Sequence, residues 1–362
     1  FLNAYPQPQH PTRALPGWDD WHAGAGAGPY DGYRYTMVEN GRRVHYGNHR
    51  GKHNVDVLRR KASSFVRSNR DRARSFFLYL APYAPHAPAT PPRRYAHAFR
   101  GVQSPETANR DPANTTGETP WERLLPRMSP REKRGMDARH RERLRSMLGV
   151  QDMVQRLVRT LRRTGQLDNT YLVFASDNGY HLGQHQLPPG KRSPFEEDIR
   201  VPLVVRGPGV PAGRRVDALT STTDVAPTLA RLGGADTPSF VDGRSLVPML
   251  HGRTPPRGWR DATLVERANE YELGPFDPDQ LDDPGQPLVP MPSYQAIRTN
   301  RYTYVEYVDG ERALYDTEHD PHQLHNLAHV ADPSLIQHLS ARLRDLANCA
   351  GASCRRADHD SH

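Results

Sequence analysis

A short apolar segment that ends in polar turn residues constrains this chain more than any other feature. The segment is Tyr171-Leu172-Val173-Phe174-Ala175, and it is followed at once by Ser176-Asp177-Asn178-Gly179. An apolar run of this length bounded by turn residues predicts a buried β-strand. In open α/β sheets, ligands bind just beyond the carboxyl ends of strands. Asp177 and Asn178 lie at that point and offer hard oxygen ligands, so they predict a divalent-cation site. The alternative is that the same residues form only a turn.

A predicted helix precedes this strand, and the same order occurs earlier in the chain. Apolar residues at helical spacing predict a helix that starts at Arg139 and stops at Gly165. Residues 55–69 also predict a helix, and a buried strand is predicted at Ser75–Leu80. Repeated helix-then-strand order predicts βαβ units, and therefore an α/β fold with a mainly parallel central sheet flanked by helices.

The remaining elements divide the chain into a larger and a smaller part. A hairpin with an Asn-Gly turn is predicted at 33–44, a strand at 201–206 and a short helix at 224–232. Residues 252–292 are expected to be mostly irregular. Residues 294–314 alternate between apolar and polar side chains, which predicts strands, and residues 333–348 are predicted to form an amphipathic helix. We therefore predict a larger domain at 1–255 and a small C-terminal α+β subdomain at 256–362.

Three basic side chains accompany the predicted cation site. His86 lies in Pro85-His86-Ala87-Pro88, where the prolines end the predicted strand at Ser75–Leu80 and stiffen the loop. His181 and Lys191 follow Asn178 within the next loop. Fixed cations stabilise negative charge that develops on an oxygen, and a histidine can protonate a leaving alcohol. The alternatives are an ordinary loop histidine and a solvated lysine.

The composition limits the classes of partner that the sequence predicts. The net charge of +8 favours anionic partners in general, but no aromatic-interleaved basic motif is present, so nucleic acid is not predicted. No apolar run approaches 18 residues, and neither a membrane span nor a signal peptide is visible. Cys349 and Cys354 predict a local disulfide, because two sulfurs do not complete a metal site. A disulfide favours an oxidising compartment. No oligomeric state is predicted.

Several motifs occur together in a characteristic order. They are Pro85-His86-Ala87-Pro88, the segment from Ser176 to His185, Gly190-Lys191-Arg192, and the segment from Ile199 to Gly209. With these motifs the chain resembles the type I sulfatases of the alkaline-phosphatase-like superfamily, and best the N-acetylglucosamine-6-sulfatase-like branch. The resemblance implies an alkaline-phosphatase-like fold. It also implies a sulfuric ester hydrolase that acts on sulfated sugars or aryl sulfates, with glycans of the N-acetylglucosamine-6-sulfate type as the expected substrates.

The same resemblance implies a set of cofactors and roles. One Ca²⁺ ion would be held by Asp177 and Asn178. His86 and Lys191 would contact the sulfate and the leaving oxygen, and His181 would lie on the substrate side of the pocket. The family's nucleophile is a formylglycine made in a Cys/Ser-x-Pro-Ser-Arg motif.

That motif does not occur in these 362 residues. We therefore expect the formylglycine upstream of Phe1, an N-terminally truncated fragment, and no activity of the fragment by itself. The full-length protein is expected to be secreted, periplasmic or lysosome-like.

Two other functions stay open at the level of sequence. A phosphatase or phosphodiesterase of the same superfamily would favour transition metals and Asp-His ligand pairs, whereas Asp177 and Asn178 favour calcium. A non-catalytic protein could instead bind acidic glycans through its positive charge.

Overall fold

A computed structural model describes residues 5–6, 12–26, 28–71, 74–110, 115–267 and 291–359. The strands in these residues are β1 His22–Ala25, β2 Tyr35–Glu39, β3 Arg42–Tyr46, β4 Leu172–Ala175, β5 Leu203–Arg206, β6 Ala262–Arg267, β7 Tyr294–Thr299, β8 Tyr302–Tyr307 and β9 Arg312–Asp316. The helices are α1 Asn54–Ser68, α2 Pro120–Arg123, α3 Pro130–Arg163, α4 Glu196–Ile199, α5 Val225–Leu232, α6 Val247–Leu250, α7 Pro333–Ala347 and α8 Cys354–Ala357. They belong to two compact units, described separately below.

The first unit contains the described residues up to Pro105 together with Ser129–Asp168. Its sheet is antiparallel in the order β1-β2-β3, and the predicted hairpin is β2-β3, closed by Asn40-Gly41 with positive φ at both residues. Its two long helices, α1 and α3, pack through Val55, Val150 and Met153. Gly149 allows the ring of Pro92 to pack closely on α3, since a Cβ there would lie 2.9 Å from Pro92.

Helix α3 begins nine residues before the predicted start at Arg139. Ser129 accepts a hydrogen bond from the backbone N–H of Glu132, and the Glu132 side chain accepts one from the backbone of Ser129. This capping box, with Pro130 at the first helical position, starts the helix before its apolar stripe begins. The helix ends at Arg163 and is followed by Gly165 with φ of +72°, as predicted.

The second unit contains the described residues of 106–128, 169–267 and 291–359, and its core lies on both faces of a four-stranded antiparallel sheet. Helix α7 covers one face, where Ile297, Tyr304 and Leu314 contact Leu339 and Leu343. The other face carries the buried side chains Tyr294, Val305, Tyr307 and Tyr315, which pack against Trp121, Leu187 and Phe195. The sheet order is β6-β7-β8-β9. Strand β6 lies in the part predicted to be irregular, and 268–290 lie outside the described residues.

The α/β class is confirmed, since the fold contains both helices and sheets. The strands, however, pair antiparallel, whereas a mainly parallel sheet was predicted. Strand β4 pairs antiparallel with β5, with Leu172 opposite Arg206. A parallel pair requires a crossover, usually a helix of a dozen or more residues, whereas only the four-residue α4 lies between these strands. All the ladders between the nine strands given above are antiparallel.

Two predictions of buried strands were wrong about burial. Residues 75–80 are extended but pair with no described strand, and Phe77 and Tyr79 are 56% and 53% exposed. Strand β4 exists, but Phe174 is 41% exposed, and Val204 of β5 is 61% exposed. A two-stranded ribbon buries little of its surface unless another layer covers it, and no described element covers these side chains.

Two smaller elements refine the sequence reading. Ser221 caps the turn that leads into α5, since its Oγ accepts from the Thr223 N–H. The predicted disulfide is confirmed, since Cys349 and Cys354 are bonded next to α8.

Candidate active site at the end of strand β4

The loop after β4 holds Asp177 and Asn178 in different surroundings. Asp177 is exposed and makes no hydrogen bond or ion pair with any described residue. The side-chain N–H of Asn178 donates to the Gly179 carbonyl at 2.7 Å, which fixes the orientation of the amide. Lys191 Nζ therefore meets the amide oxygen, Asn178 Oδ1, at 3.5 Å. An amide oxygen and an ammonium are thus in contact in the second unit, and an exposed carboxylate precedes that amide in the chain.

Gly179 is required where the chain turns. A Cβ at this position would lie 1.9 Å from the Glu197 carbonyl oxygen and 2.8 Å from the Asp198 Cα. The close approach lets the Gly179 and Tyr180 N–H groups donate to the carbonyls of Asp198 and Glu197, both at 2.7 Å. These bonds attach the loop to the start of α4.

Lys191 lies in a loop that the core anchors on both sides. Leu187 and Phe195 are fully buried against the four-stranded sheet, and burial of such side chains stabilises by about 1.5–3 kcal/mol each. Between them, Gly190 exchanges two backbone hydrogen bonds with His181, at 2.9 and 3.1 Å. The position of Lys191 beside Asn178 therefore depends on the packing of the second unit.

His181 is buried, with 3% exposure, and its Nδ1 lies 2.9 Å from both carboxylate oxygens of Asp198. Asp198 also accepts hydrogen bonds from the backbone and the hydroxyl of Ser193, at 2.7 and 2.6 Å. An ionised carboxylate only accepts, so Nδ1 carries the proton and Nε2 is the remaining nitrogen of the ring. Asp198 thus fixes the orientation and tautomer of His181. Sequence reasoning missed it, because an acidic residue in the polar run Glu196–Asp198 gives no signal of burial.

His185 has structural contacts. Its ring stacks on Phe195 with centroids 3.5 Å apart, and Asn109 Nδ2 donates to its Nε2 at 3.1 Å. Burial, reinforced by repulsion from His181 and His322, lowers the pKa of His185 to about 3. His185 is therefore neutral at physiological pH, which suits its place in the core.

His86 lies in the first unit. Its Nδ1 is 2.9 Å from the Ala87 carbonyl, so Nδ1 donates and the tautomer is fixed. The Tyr30 ring contacts the imidazole edge-on with centroids 4.4 Å apart. The loop is held from α3 by Arg143, whose Nη1 donates to the Pro85 carbonyl at 3.0 Å. Prolines and this arginine together position His86.

The oxygen atoms at the end of β4 fit a calcium ion in part. Ca²⁺ takes six to eight oxygen ligands, from carboxylates and amide carbonyls alike. Asp177 supplies an unpaired carboxylate and Asn178 an oriented amide oxygen, which is the right donor chemistry but a minority of the shell. The two residues therefore match calcium in the chemistry of their donor atoms.

A second acidic group lies at the end of β9. Asp316, Glu318 and His319 form the one group of three or more possible metal ligands of the His, Cys, Asp or Glu type within the described ranges. Arg301 donates to Asp316 at 2.6 Å. This bond, with a smaller contribution from His319, lowers the pKa of Asp316 to about 2. Because an arginine already neutralises Asp316, the group is better explained as an ion-pair network.

Comparison with known proteins identifies the family of this chain. The family model described as Sulfatase matches residues 15–235. The chain belongs to the sulfatase family. It is 33% identical over 363 residues to N-acetylglucosamine-6-sulfatase of Homo sapiens, covering 94% of this chain and 64% of that protein. It is 34% identical over 277 residues to an extracellular sulfatase homologue of Drosophila melanogaster, covering 75% of this chain and 24% of that protein.

A solved structure gives the fold of this sulfatase chain. A protein in complex with its substrate D-glucosamine-2-N,6-O-disulfate superimposes with a TM-score of 0.78 at 23% identity, covering 96% of this chain and 79% of that one. The likeness confirms the alkaline-phosphatase-like fold. The chain spans less than two thirds of the length of the curated N-acetylglucosamine-6-sulfatases that it matches. No helix in the described part of the chain is both long and apolar enough to cross a membrane.

Proposed function

We propose that the protein containing this chain is a sulfuric ester hydrolase that acts on sulfated sugars of the N-acetylglucosamine-6-sulfate type. One observation carries the proposal: Lys191 Nζ lies 3.5 Å from Oδ1 of Asn178, the residue that follows the exposed Asp177 in the chain. Cations and metal-binding oxygens in one place suit an ester whose bridging oxygen becomes negative as the S–O bond breaks. The substrate class rests on the relatives that carry that name.

Sulfatases generally use a metal ion and a formylglycine. We propose Ca²⁺ as the ion and assign Asp177 and Asn178 to it. When bound, the ion would supply positive charge beside the sulfate. The formylglycine would come from a segment that contains the Cys/Ser-x-Pro-Ser-Arg motif, which is not among these residues.

The side chains of this chain have separate roles in the proposal. Lys191 orients the sulfate and stabilises charge on the leaving oxygen as a compact ammonium. His86 has its Nδ1 committed to the Ala87 carbonyl, so proton exchange with the leaving alcohol falls to Nε2. His181 contributes to the substrate side with a ring that Asp198 orients. Residues 1–255 would belong to the catalytic domain and 256–362 to a C-terminal subdomain.

The proposed compartment is extracellular or otherwise oxidising. The Cys349–Cys354 disulfide supports it, and the matched relatives include proteins named extracellular sulfatases.

The test compares ester classes and matched lysine variants in the protein that contains these residues. We expect calcium-dependent hydrolysis of an aryl sulfate and of 6-sulfated N-acetylglucosamine, with much weaker hydrolysis of the corresponding phosphate esters. Lys191→Ala should reduce kcat at least about 100-fold, as loss of one charge-stabilising group does. Lys52→Ala, which removes a lysine over the Tyr46 ring in the first unit, is the control. Equal hydrolysis of phosphate and sulfate esters, or full activity of Lys191→Ala, would contradict the proposal.

A further inference from the structure

Helix α3 contains a large excess of basic over acidic residues. It contains eleven arginine or lysine residues and four acidic residues, while the net charge of the whole chain is +8. The two halves of the helix use these residues differently. Arg141, Arg143 and Arg145 in the first half donate to the carbonyls of Val102, Pro85 and Ala98. They are engaged in holding loops of the first unit.

The second half presents its arginines to solvent. Arg156, Arg159, Arg162 and Arg163 are exposed, and none makes an ion pair with any residue in the described ranges. At 100° per residue they lie on the side of the helix opposite Val150, Met153 and Leu161, which are buried. No acidic residue follows Asp152 in the helix.

The end of α1 enlarges this charged surface. Gln166, just beyond α3, donates from Nε2 to the Val66 carbonyl in the last turn of α1 at 3.2 Å. The carboxyl ends of the two helices therefore lie side by side. Arg67 and Arg70 are exposed at the end of α1, although Arg70 has a weak partner in Asp71 at 3.4 Å.

We define the arginine cluster as Arg67, Arg70, Arg156, Arg159, Arg162 and Arg163. One or two cations in the last turn are enough to compensate a helix dipole, whose effect falls off within that turn. The cluster exceeds this requirement, and Arg156 lies two turns before the end of α3. Six exposed like charges create a positive potential that attracts anions. A polyanion can contact several of these arginines at once, so it is the class of ligand that this surface favours.

We propose that the arginine cluster is a binding site for a sulfated polysaccharide chain, formed by residues other than those of the loop at the end of β4. Guanidinium groups bind oxyanions such as sulfate through two parallel hydrogen bonds. Arg156 and Arg163 are about 10 Å apart along the helix axis, so one extended chain can contact several arginines. Residues 154–163 contain no aromatic side chain on which a nucleic acid base could stack. The choice of a sulfated ligand rests on the proposed function.

The test measures binding of this chain to heparin by titration calorimetry at about 0.15 M salt, where the Debye length is about 8 Å and distant charges are screened. The cluster variant is Arg67→Gln, Arg159→Gln, Arg162→Gln and Arg163→Gln. The control variant is Arg42→Gln, Arg43→Gln, Arg131→Gln and Arg134→Gln. The control residues are exposed in the same unit, and both variants lose four charges. Circular dichroism checks that each variant is folded.

We expect the cluster variant to bind heparin at least about 10-fold more weakly, with a smaller salt slope, since each lost oxyanion contact reduces that slope by about one. The control should change affinity less than about threefold. Equal losses in the two variants would overturn the proposal, since net charge alone would then explain binding. Cluster-dependent binding of double-stranded DNA or unsulfated hyaluronan as tight as that of heparin would overturn the assignment to sulfated chains.

The result of the heparin-binding test can be distinguished from the result of the test of the proposed hydrolase activity. None of the substituted arginines is assigned to the active site, so hydrolysis of a small aryl sulfate by the full-length protein should be the same with either set of substitutions. Failure of the cluster to bind heparin leaves aryl sulfate hydrolysis unaffected, and failure of hydrolysis leaves the binding result intact.

Discussion

The substitution Gly179→Ala tests whether backbone contact at this glycine organises the candidate site. The new Cβ would lie 1.9 Å from the Glu197 carbonyl oxygen and 2.8 Å from Asp198 Cα. Both neighbours belong to the backbone, so no side chain can rotate away, and the loop or α4 must move. Such overpacking costs about 1–3 kcal/mol. The movement also breaks the hydrogen bonds from Gly179 and Tyr180, each worth about 1 kcal/mol net.

We therefore expect Gly179→Ala to lower the free energy of unfolding of the second unit by about 3–5 kcal/mol. The shift should also separate Asn178 from Lys191 and abolish calcium binding. Amide hydrogen exchange is the suitable assay, because it reports each unit separately: slow amides of β7 and β8 follow the second unit, and those of α1 and α3 follow the first.

Gly135→Ala is a matched control. Gly135 lies inside α3, and a Cβ there would meet nothing within 4 Å. Alanine at an unobstructed helical position stabilises by about 0.5–1 kcal/mol, so this variant should slow exchange in the first unit. If Gly179→Ala keeps the wild-type stability of the second unit within about 0.5 kcal/mol and still binds calcium, the reasoning from backbone contact is refuted.

Four further outcomes are expected. The pKa of His185 is about 3 in the folded state and 6.5 in the unfolded state. Between these values the unfolded state binds the extra proton, so the free energy of unfolding falls as the pH drops from about 6.5 towards 3. A pH series of urea unfolding should show this decrease in the wild type and a smaller decrease in His185→Gln. Asp177→Asn should weaken calcium binding at least about 10-fold in calorimetry, because one carboxylate is lost from a small ligand set; unchanged affinity would place the ion elsewhere. Asp198→Asn should alter the tautomer signals of His181 in nitrogen NMR; a wild-type spectrum would show that Asp198 does not fix the ring. Reduction of Cys349–Cys354 should cost about 2 kcal/mol from the entropy of its short loop, measured by thermal unfolding with and without reductant.

Local signals in the sequence were sufficient for several elements. The spacing of apolar residues predicted α1 and α7, and Asn40-Gly41 predicted the β2-β3 hairpin, because helix periodicity and turn chemistry act within a few residues. The capping box at Ser129 was also present in the sequence, and its use would have corrected the start of α3. The order of the motifs along the chain was enough to predict the sulfatase family, which the family match confirms.

Burial, pairing and partners came from tertiary structure. The sequence placed Asp177, Asn178, His181 and Lys191 in one loop, but it could not reveal that Asp198 binds His181, because that contact depends on how α4 folds back. It also could not separate the arginines of α3 that hold loops from those that face solvent, since both halves of the helix are rich in arginine. The exposure of Phe77, in a segment predicted to be a buried strand, could not be derived from the sequence either. An apolar run specifies an extended chain, whereas burial requires a neighbouring layer that only the folded molecule supplies.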